Sequence, residues 1–206
     1  SPSVPRLAYG PGPRFRNAAM ALILGTAGAA AAEPVTVVAL GDSLTAGYGL
    51  GPDEGFVPRL EAWLRARGAD VEVRDAGVSG DTTAGGLSRL DWALGEGADA
   101  LIVALGGNDF LRGVDPEVSR GNLRGILEKA RAEELPVLLV GIDASGQYGP
   151  GYEAAFDGMY PALAAEFGAL LEADWFEALR EEGVPPEETR ARLLQPDGLH
   201  PNAAGA

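Results

Sequence analysis

From residue 35 onward, short runs of consecutive apolar residues, many of them β-branched, alternate with longer stretches in which apolar positions recur every three or four residues. The short runs fall at 35–40, 71–75, 100–105 and 136–142, with a weaker one at 169–172. Taken as a set they run too continuously apolar for a sheet wetted on one face, so they predict strands covered on both sides. The longer stretches predict helices at 56–67, 83–94, 116–132 and 152–167. In the first, Phe56, Leu60, Trp63 and Leu64 share a face, and in the last Pro161 is placed to kink or split the helix. The pattern also allows helices at 175–182 and 187–194. Strands alternating with helices in this way predict an α/β domain on a parallel sheet, and no internal repeat or second domain interrupts the pattern.

The stretch before residue 33 reads differently. Arg14 and Arg16 precede an uncharged apolar run from Ala18 to Ala32 that closes in Ala30-Ala31-Ala32 ahead of Glu33, the layout of a secretory signal peptide with its small-residue cleavage site. The run is shorter than the ~20 residues of a membrane span. An N-terminal anchor and an incidental Ala-rich helix are the alternative readings. Residues 1–13, with four prolines, read as upstream sequence. The expected organisation is therefore 1–32 as upstream residues and leader, and 33–206 as a single domain. That domain would be secreted and periplasmic, with no stable membrane insertion once the leader is cleaved.

Composition narrows the chemistry. A chain of 206 residues with 46% hydrophobic and 22% charged content can bury a full core in one domain. Its formal net charge is -14, and from Glu33 on it carries 13 basic against 30 acidic residues. That balance disfavours nucleic acid and anionic membranes as partners, since both are bound through clustered Lys and Arg. The absence of cysteine excludes disulfides, thiolate metal sites and a Cys nucleophile, and a single histidine excludes a multi-histidine metal site. Neither a cofactor nor a metal is expected.

In open parallel sheets ligands bind beyond the carboxyl ends of the strands. Three unusual segments sit there: Gly41-Asp42-Ser43-Leu44 after the first strand, Gly77-Val78-Ser79-Gly80-Asp81-Thr82 after the second, and Gly106-Gly107-Asn108-Asp109 after the third. A serine hydroxyl needs a base to take its proton, and the usual base is a histidine oriented by a carboxylate. The only histidine, His200, lies in Pro196-Asp197-Gly198-Leu199-His200-Pro201-Asn202, where Pro and Gly predict a bent loop shared with Asp197. Each feature alone has an ordinary reading: Asp42 and Ser43 as helix caps, Gly-Gly-Asn-Asp as a turn, His200 as a surface residue beside an acid. Together, in loops that can converge on one cleft, they point to nucleophilic catalysis.

These four segments resemble the four sequence blocks of the GDSL (SGNH) hydrolases, through Gly41-Asp42-Ser43-Leu44, Gly80, Asn108 and Asp197-x-x-His200. The chain is most similar to the bacterial secreted thioesterase/lysophospholipase/arylesterase branch, in Ser43-Leu44-Thr45-Ala46-Gly47-Tyr48, Ser79-Gly80-Asp81-Thr82-Thr83 and Leu105 to Gly113, with Tyr148-Gly149, Tyr152 and Phe156 extending the likeness. The resemblance implies a three-layer α/β/α sandwich with a central parallel sheet, flavodoxin-like in arrangement. It implies Ser43 as nucleophile, His200 as base and Asp197 as its orienting partner. The oxyanion donors would be the N–H groups of Ser43 and Gly80 and the side-chain amide of Asn108, with Ser43 expected to head a helix.

The implied activity is hydrolysis of small-molecule carboxylic esters or thioesters through an acyl-enzyme. A carbohydrate O-deacetylase is the alternative, and a non-catalytic binding protein on the same fold a more distant one. The sequence departs from the family pattern twice. After the fourth strand it reads Asp143-Ala144-Ser145-Gly146-Gln147 where relatives often carry a Pro- and Asn-containing loop. Only four residues follow Asn202, where the family continues into a final helix, so that helix is expected to be lacking.

Overall fold

A computed structural model of the chain describes residues 33–95, 97–144, 146–180 and 183–206. The leader expected before Glu33 lies outside the described residues. Five strands, β1 (Val35–Gly41), β2 (Val71–Gly77), β3 (Ala100–Ala104), β4 (Val137–Val140) and β5 (Leu170–Glu172), form one parallel sheet in the order β2-β1-β3-β4-β5. The chain thus starts inside the sheet, steps outward to β2, then crosses back past β1 to β3. Connections leaving β1 and β3 diverge to opposite faces at that reversal, which opens a crevice at the carboxyl ends of these strands.

Alternation along the strands splits the core in two. Val38, Leu40, Leu101 and Val103 pack on one face with Leu90, Leu94, Leu123, Ile126, Leu127, Phe156 and Leu163. Val37, Ala39, Val71, Val73, Ile102 and Ala104 pack on the other with Val57, Leu60 and Leu64. The second face is covered by α1 (Phe56–Arg65). The first is covered by α2 (Thr83–Ser88), α3 (Leu90–Leu94), α5 (Pro116–Ala132) and α6 (Pro150–Phe167). The result is the three-layer α/β/α arrangement, and helices on both faces account for the apolar runs of β1, β3 and β4, whereas β2 buries Val71 and Val73 and leaves Glu72 and Arg74 partly exposed.

Several elements differ from the periodicity. The helix expected over 83–94 breaks at Arg89, whose backbone sits at φ -109°, ψ 7°. Its guanidinium donates to the carbonyls of Ala76 (2.8 Å) and Gly41 (2.9 Å) and to Asp81 (2.7 Å), and reaching all three draws the residue out of helical geometry. A short helix, α4 (Gly107–Leu111), replaces the turn expected after β3. Among the described residues of the stretch over 175–182, Glu177–Leu179 form a 3-10 turn, while α7 (Pro186–Leu193) forms close to its expected place. α6 starts earlier than expected, with Pro150 in its first turn, and remains a single helix across Pro161.

One correction touches the site: Ser43 does not head a helix. Residues 43–49 form successive turns, in which the Ala46 N–H bonds the Asp42 carbonyl and the Tyr48 N–H bonds the Ser43 carbonyl, each at 3.0 Å. Any stabilisation of negative charge beside Ser43 therefore comes from nearby donors and not from an aligned helix.

Candidate active site

The end of β1 delivers Ser43 to the crevice through a turn fixed by its neighbour. Asp42 is buried, and its carboxylate accepts from the Leu44 N–H at 3.0 Å and from the Asn108 amide at 3.1 Å. Burial raises the Asp42 pKa above its ordinary value, and these two donors oppose the rise.

Asn108 sits in the first turn of α4, whose entry is set by Gly106 at φ +125°. A Cβ at that position would collide with the hydroxyl of Tyr160, which is buried and donates to the Leu105 carbonyl at 3.0 Å. Because one hydrogen of the Asn108 amide is committed to Asp42, its second remains available to a ligand. Gly80, after β2, adopts φ +83°, a left-handed conformation favourable only to glycine. Neither the Ser43 nor the Gly80 N–H has an acceptor among the described residues.

His200 arrives from the far end of the chain on a hairpin. Residues Leu194 and Pro201 form an antiparallel bridge, the Gln195 N–H bonds the His200 carbonyl at 2.7 Å, and the Asn202 N–H bonds Leu193 at 2.9 Å. The Gln195 amide reaches the carbonyls of Tyr48 (2.7 Å) and Pro201 (2.9 Å), which joins the hairpin to the turn bearing Ser43. Arg59 of α1 donates to the carbonyls of Ala203 (2.6 Å) and Ala206 (2.7 Å).

Within the bend, Asp197 accepts from the N–H groups of Leu199 (2.9 Å) and His200 (3.0 Å) through one oxygen, while the other lies 2.7 Å from His200 Nδ1. His200 Nε2 lies 2.8 Å from Ser43 Oγ. The imidazole hydrogen bond, followed by the two backbone donors, holds the Asp197 pKa down to about 2, so it is a carboxylate wherever the protein is folded near neutrality. The Tyr48 ring packs against the imidazole at 4.7 Å between centroids.

The site therefore brings together every residue singled out from the sequence: Ser43, Asp197 and His200 in one hydrogen-bonded chain, and Gly80 and Asn108 on the wall of the same cavity. That cavity has a volume of about 880 Å³. Its further wall is largely apolar, with Ile142, Phe176, Leu179, Val184, Leu194 and Leu199. The unusual loop after β4 contributes Asp143, which Arg180 bonds at 2.8 Å together with buried Asp174 at 2.6 Å and Glu177 at 2.7 Å, so one guanidinium braces the loops after β4 and β5.

Three supporting residues went unread in the sequence. Arg89 and Gln195 act on backbone carbonyls, and no spacing rule announces such partners. Asp109 was visible in the Gly-Gly-Asn-Asp segment but looked like a turn residue; it is buried and bonds Thr83 and Ser119.

Known proteins resemble this chain over most of its length. The GDSL-like Lipase/Acylhydrolase family matches residues 39–206. The chain is 42% identical over 186 residues to Esterase TesA of Pseudomonas aeruginosa, covering 90% of this chain and 87% of that protein. It is 37% identical over 182 residues to Thioesterase 1/protease 1/lysophospholipase L1 of Escherichia coli strain K12, covering 88% of this chain and 81% of the relative. Among solved structures it superposes on AlinE4, an SGNH-hydrolase family esterase, with a TM-score of 0.73 and 41% identity over 85% of this chain and 90% of the other. The chain belongs to the GDSL-like lipase/acylhydrolase family.

Proposed function

We propose that this protein is a serine hydrolase that cleaves carboxylic esters or thioesters through an acyl-enzyme on Ser43. The observation that carries the reading is the chain of contacts Ser43 Oγ to His200 Nε2 at 2.8 Å and His200 Nδ1 to Asp197 at 2.7 Å, at the mouth of a cavity. Ionised Asp197 holds Nδ1 as the donor, which leaves Nε2 free to take the Ser43 proton as the hydroxyl oxygen attacks the acyl carbon. The carbonyl oxygen becomes an oxyanion, met by the unpartnered N–H groups of Ser43 and Gly80 and by the free hydrogen of the Asn108 amide. The imidazolium then protonates the departing alcohol or thiol. Water, deprotonated by the same imidazole, attacks the acyl-enzyme and regenerates Ser43.

The names of the relatives, an esterase and a thioesterase/lysophospholipase, support acyl esters and thioesters as the substrate class. The apolar wall of Ile142, Phe176, Leu179 and Val184 favours an acyl chain over an acetylated sugar. The Arg-then-apolar leader supports export to the periplasm, and no helix among the described residues is long and apolar enough to cross a membrane. A fluorophosphonate should label the wild type on Ser43, and Ser43→Ala should lose both labelling and hydrolysis of a p-nitrophenyl ester series. Labelling that survives Ser43→Ala would sink the assignment.

A further inference from the structure

Gly80 and Asn108 leave strands that do not touch. β1 lies between β2 and β3, so no ladder of backbone hydrogen bonds registers the loop after β2 against the loop after β3. Two strands separated by a third lie roughly 9–10 Å apart. The donors must nevertheless meet one oxygen atom. The sheet registers the two strand ends only indirectly, each against Gly41 of β1, so a direct tie between the two loops has to come from elsewhere.

We infer that Asp109 is the positioning residue that does so, a buried clamp joining the element that carries Asn108 to the segment that carries Gly80. Asp109 is only 1% exposed and sits next to Asn108 in α4. Its carboxylate accepts from the Thr83 N–H at 2.8 Å, from the Thr83 hydroxyl at 2.6 Å and from the Ser119 hydroxyl at 3.0 Å. Thr83 is itself fully buried, three residues beyond Gly80, and its Oγ1 accepts from the Asn122 amide at 3.0 Å.

One carboxylate thus spans from α4 across to the first turn of α2 and onward to α5. The two bonds to Thr83, to its N–H and its hydroxyl, are short and hold the residue from two directions. α4 needs such an anchor: it has five residues and no side-chain cap, far below the ~12–15 residues at which a helix begins to hold itself. At its other end Arg112 donates to the Gly80 carbonyl at 2.7 Å, an exposed second strut on the same loop. α4 is therefore a crossbar between the two donors, with its firm joint at Asp109. Asp109 touches none of the reacting atoms, and it acts through Asn108 and Gly80.

This inference rests on the oxyanion role given to Asn108, so its test is an epistasis measurement. kcat and KM on p-nitrophenyl butyrate are compared for Thr83→Val, Thr83→Ser and Asp109→Asn, each in the wild type and in Asn108→Ala. Thr83→Val, which keeps shape and loses the hydroxyl, should lower kcat about tenfold with KM changed by less than about twofold, because misplaced donors weaken only the transition state. Thr83→Ser, which restores the hydroxyl, should recover most of that loss.

In the Asn108→Ala background Thr83→Val should cost clearly less than in the wild type, about threefold, since one of the two donors it spaces is already gone and only Gly80 is left to misplace. An equal loss in both backgrounds, or no loss in the wild type, would overturn the clamp. Should Asp109→Asn fail to fold, the two Thr83 variants decide the matter. Failure of the underlying reading would show elsewhere, as an Asn108→Ala enzyme with unchanged kcat.

Discussion

The two halves of the site each rely on an aspartate, and the two are built in opposite ways. On the nucleophile side Asp42 is buried at the end of a central strand, and its pKa is raised by desolvation despite two donors. On the base side Asp197 is exposed in a hairpin bend, and three donors drive its pKa down to about 2. The first carboxylate is held by the core and orients a neutral amide; the second is held by its own loop and orients an imidazole. The same side chain thus serves as a structural wedge where water is excluded and as a stable charge where water remains. Asn108 is tied to buried Asp42, while His200 rides on a hairpin secured mainly by backbone bonds, Gln195 and Arg59.

The sharpest way to break the comparison is on the hairpin. Asp197→Asn removes the fixed charge while leaving Ser43 and His200 in place. It should lower kcat by up to about 10⁴-fold, the scale seen when a triad carboxylate becomes an amide and the imidazole takes the wrong tautomer. A loss below about tenfold would mean that the backbone of the hairpin, and not the carboxylate, orients the ring. On the buried side the corresponding change is smaller: Asn108→Ala should fold normally and lose about 10²–10³-fold in kcat, one oxyanion donor's worth. A rise in KM with kcat intact would make Asn108 a substrate contact instead.

The smallest effect separates the two aspartates by the sign of their pH dependence. Asp42 has a raised pKa, so below its unfolded value both states hold the proton, and as pH rises through the folded value the wild type takes on a desolvation cost that Asp42→Asn lacks. Relative to wild type, the melting temperature of Asp42→Asn should climb as pH rises above about 4, the value of an unfolded aspartate. Asp197, with a lowered pKa, contributes stability above its unfolded value that disappears as pH falls through about 2. The melting temperature of Asp197→Asn relative to wild type should therefore fall as pH rises from about 2 to about 4. Parallel slopes for the two variants would erase the distinction.

Most of the sheet was legible because β1, β3 and β4 are short apolar runs covered by helices on both faces, while β2 alternates apolar Val71 and Val73 with Glu72 and Arg74. α5 was legible to the residue, since its apolar period is clean, Asp115 caps its start and Pro116 follows. Where the reading failed, tertiary hydrogen bonds overrode local pattern. Arg89 interrupts a helix because the carbonyls it serves lie at the ends of β1 and β2. α4 exists because Asp109 and the Tyr160 hydroxyl fasten a segment whose two glycines read as a turn. Ser43 was expected at a helix start on the strength of the residues around it, but the turns over 43–49 do not propagate. That Ser43, His200 and Asp197 meet was legible for a different reason: with one histidine in the chain, the candidate for a base had no competitor.

The conformation of Gly80 has a consequence for what can ever replace it. A side chain built there would meet nothing closer than an Arg112 nitrogen at 3.7 Å, so space is not what reserves the position for glycine. The reservation is one of handedness. At φ +83° an L-residue is strained by roughly 1–2 kcal/mol, whereas a residue of the opposite chirality would find the same backbone relaxed. The vacant volume beside the Gly80 N–H is therefore reached by a genetically encoded residue only under strain, and by chemical synthesis without it, where a D-alanine could occupy it without turning the N–H away.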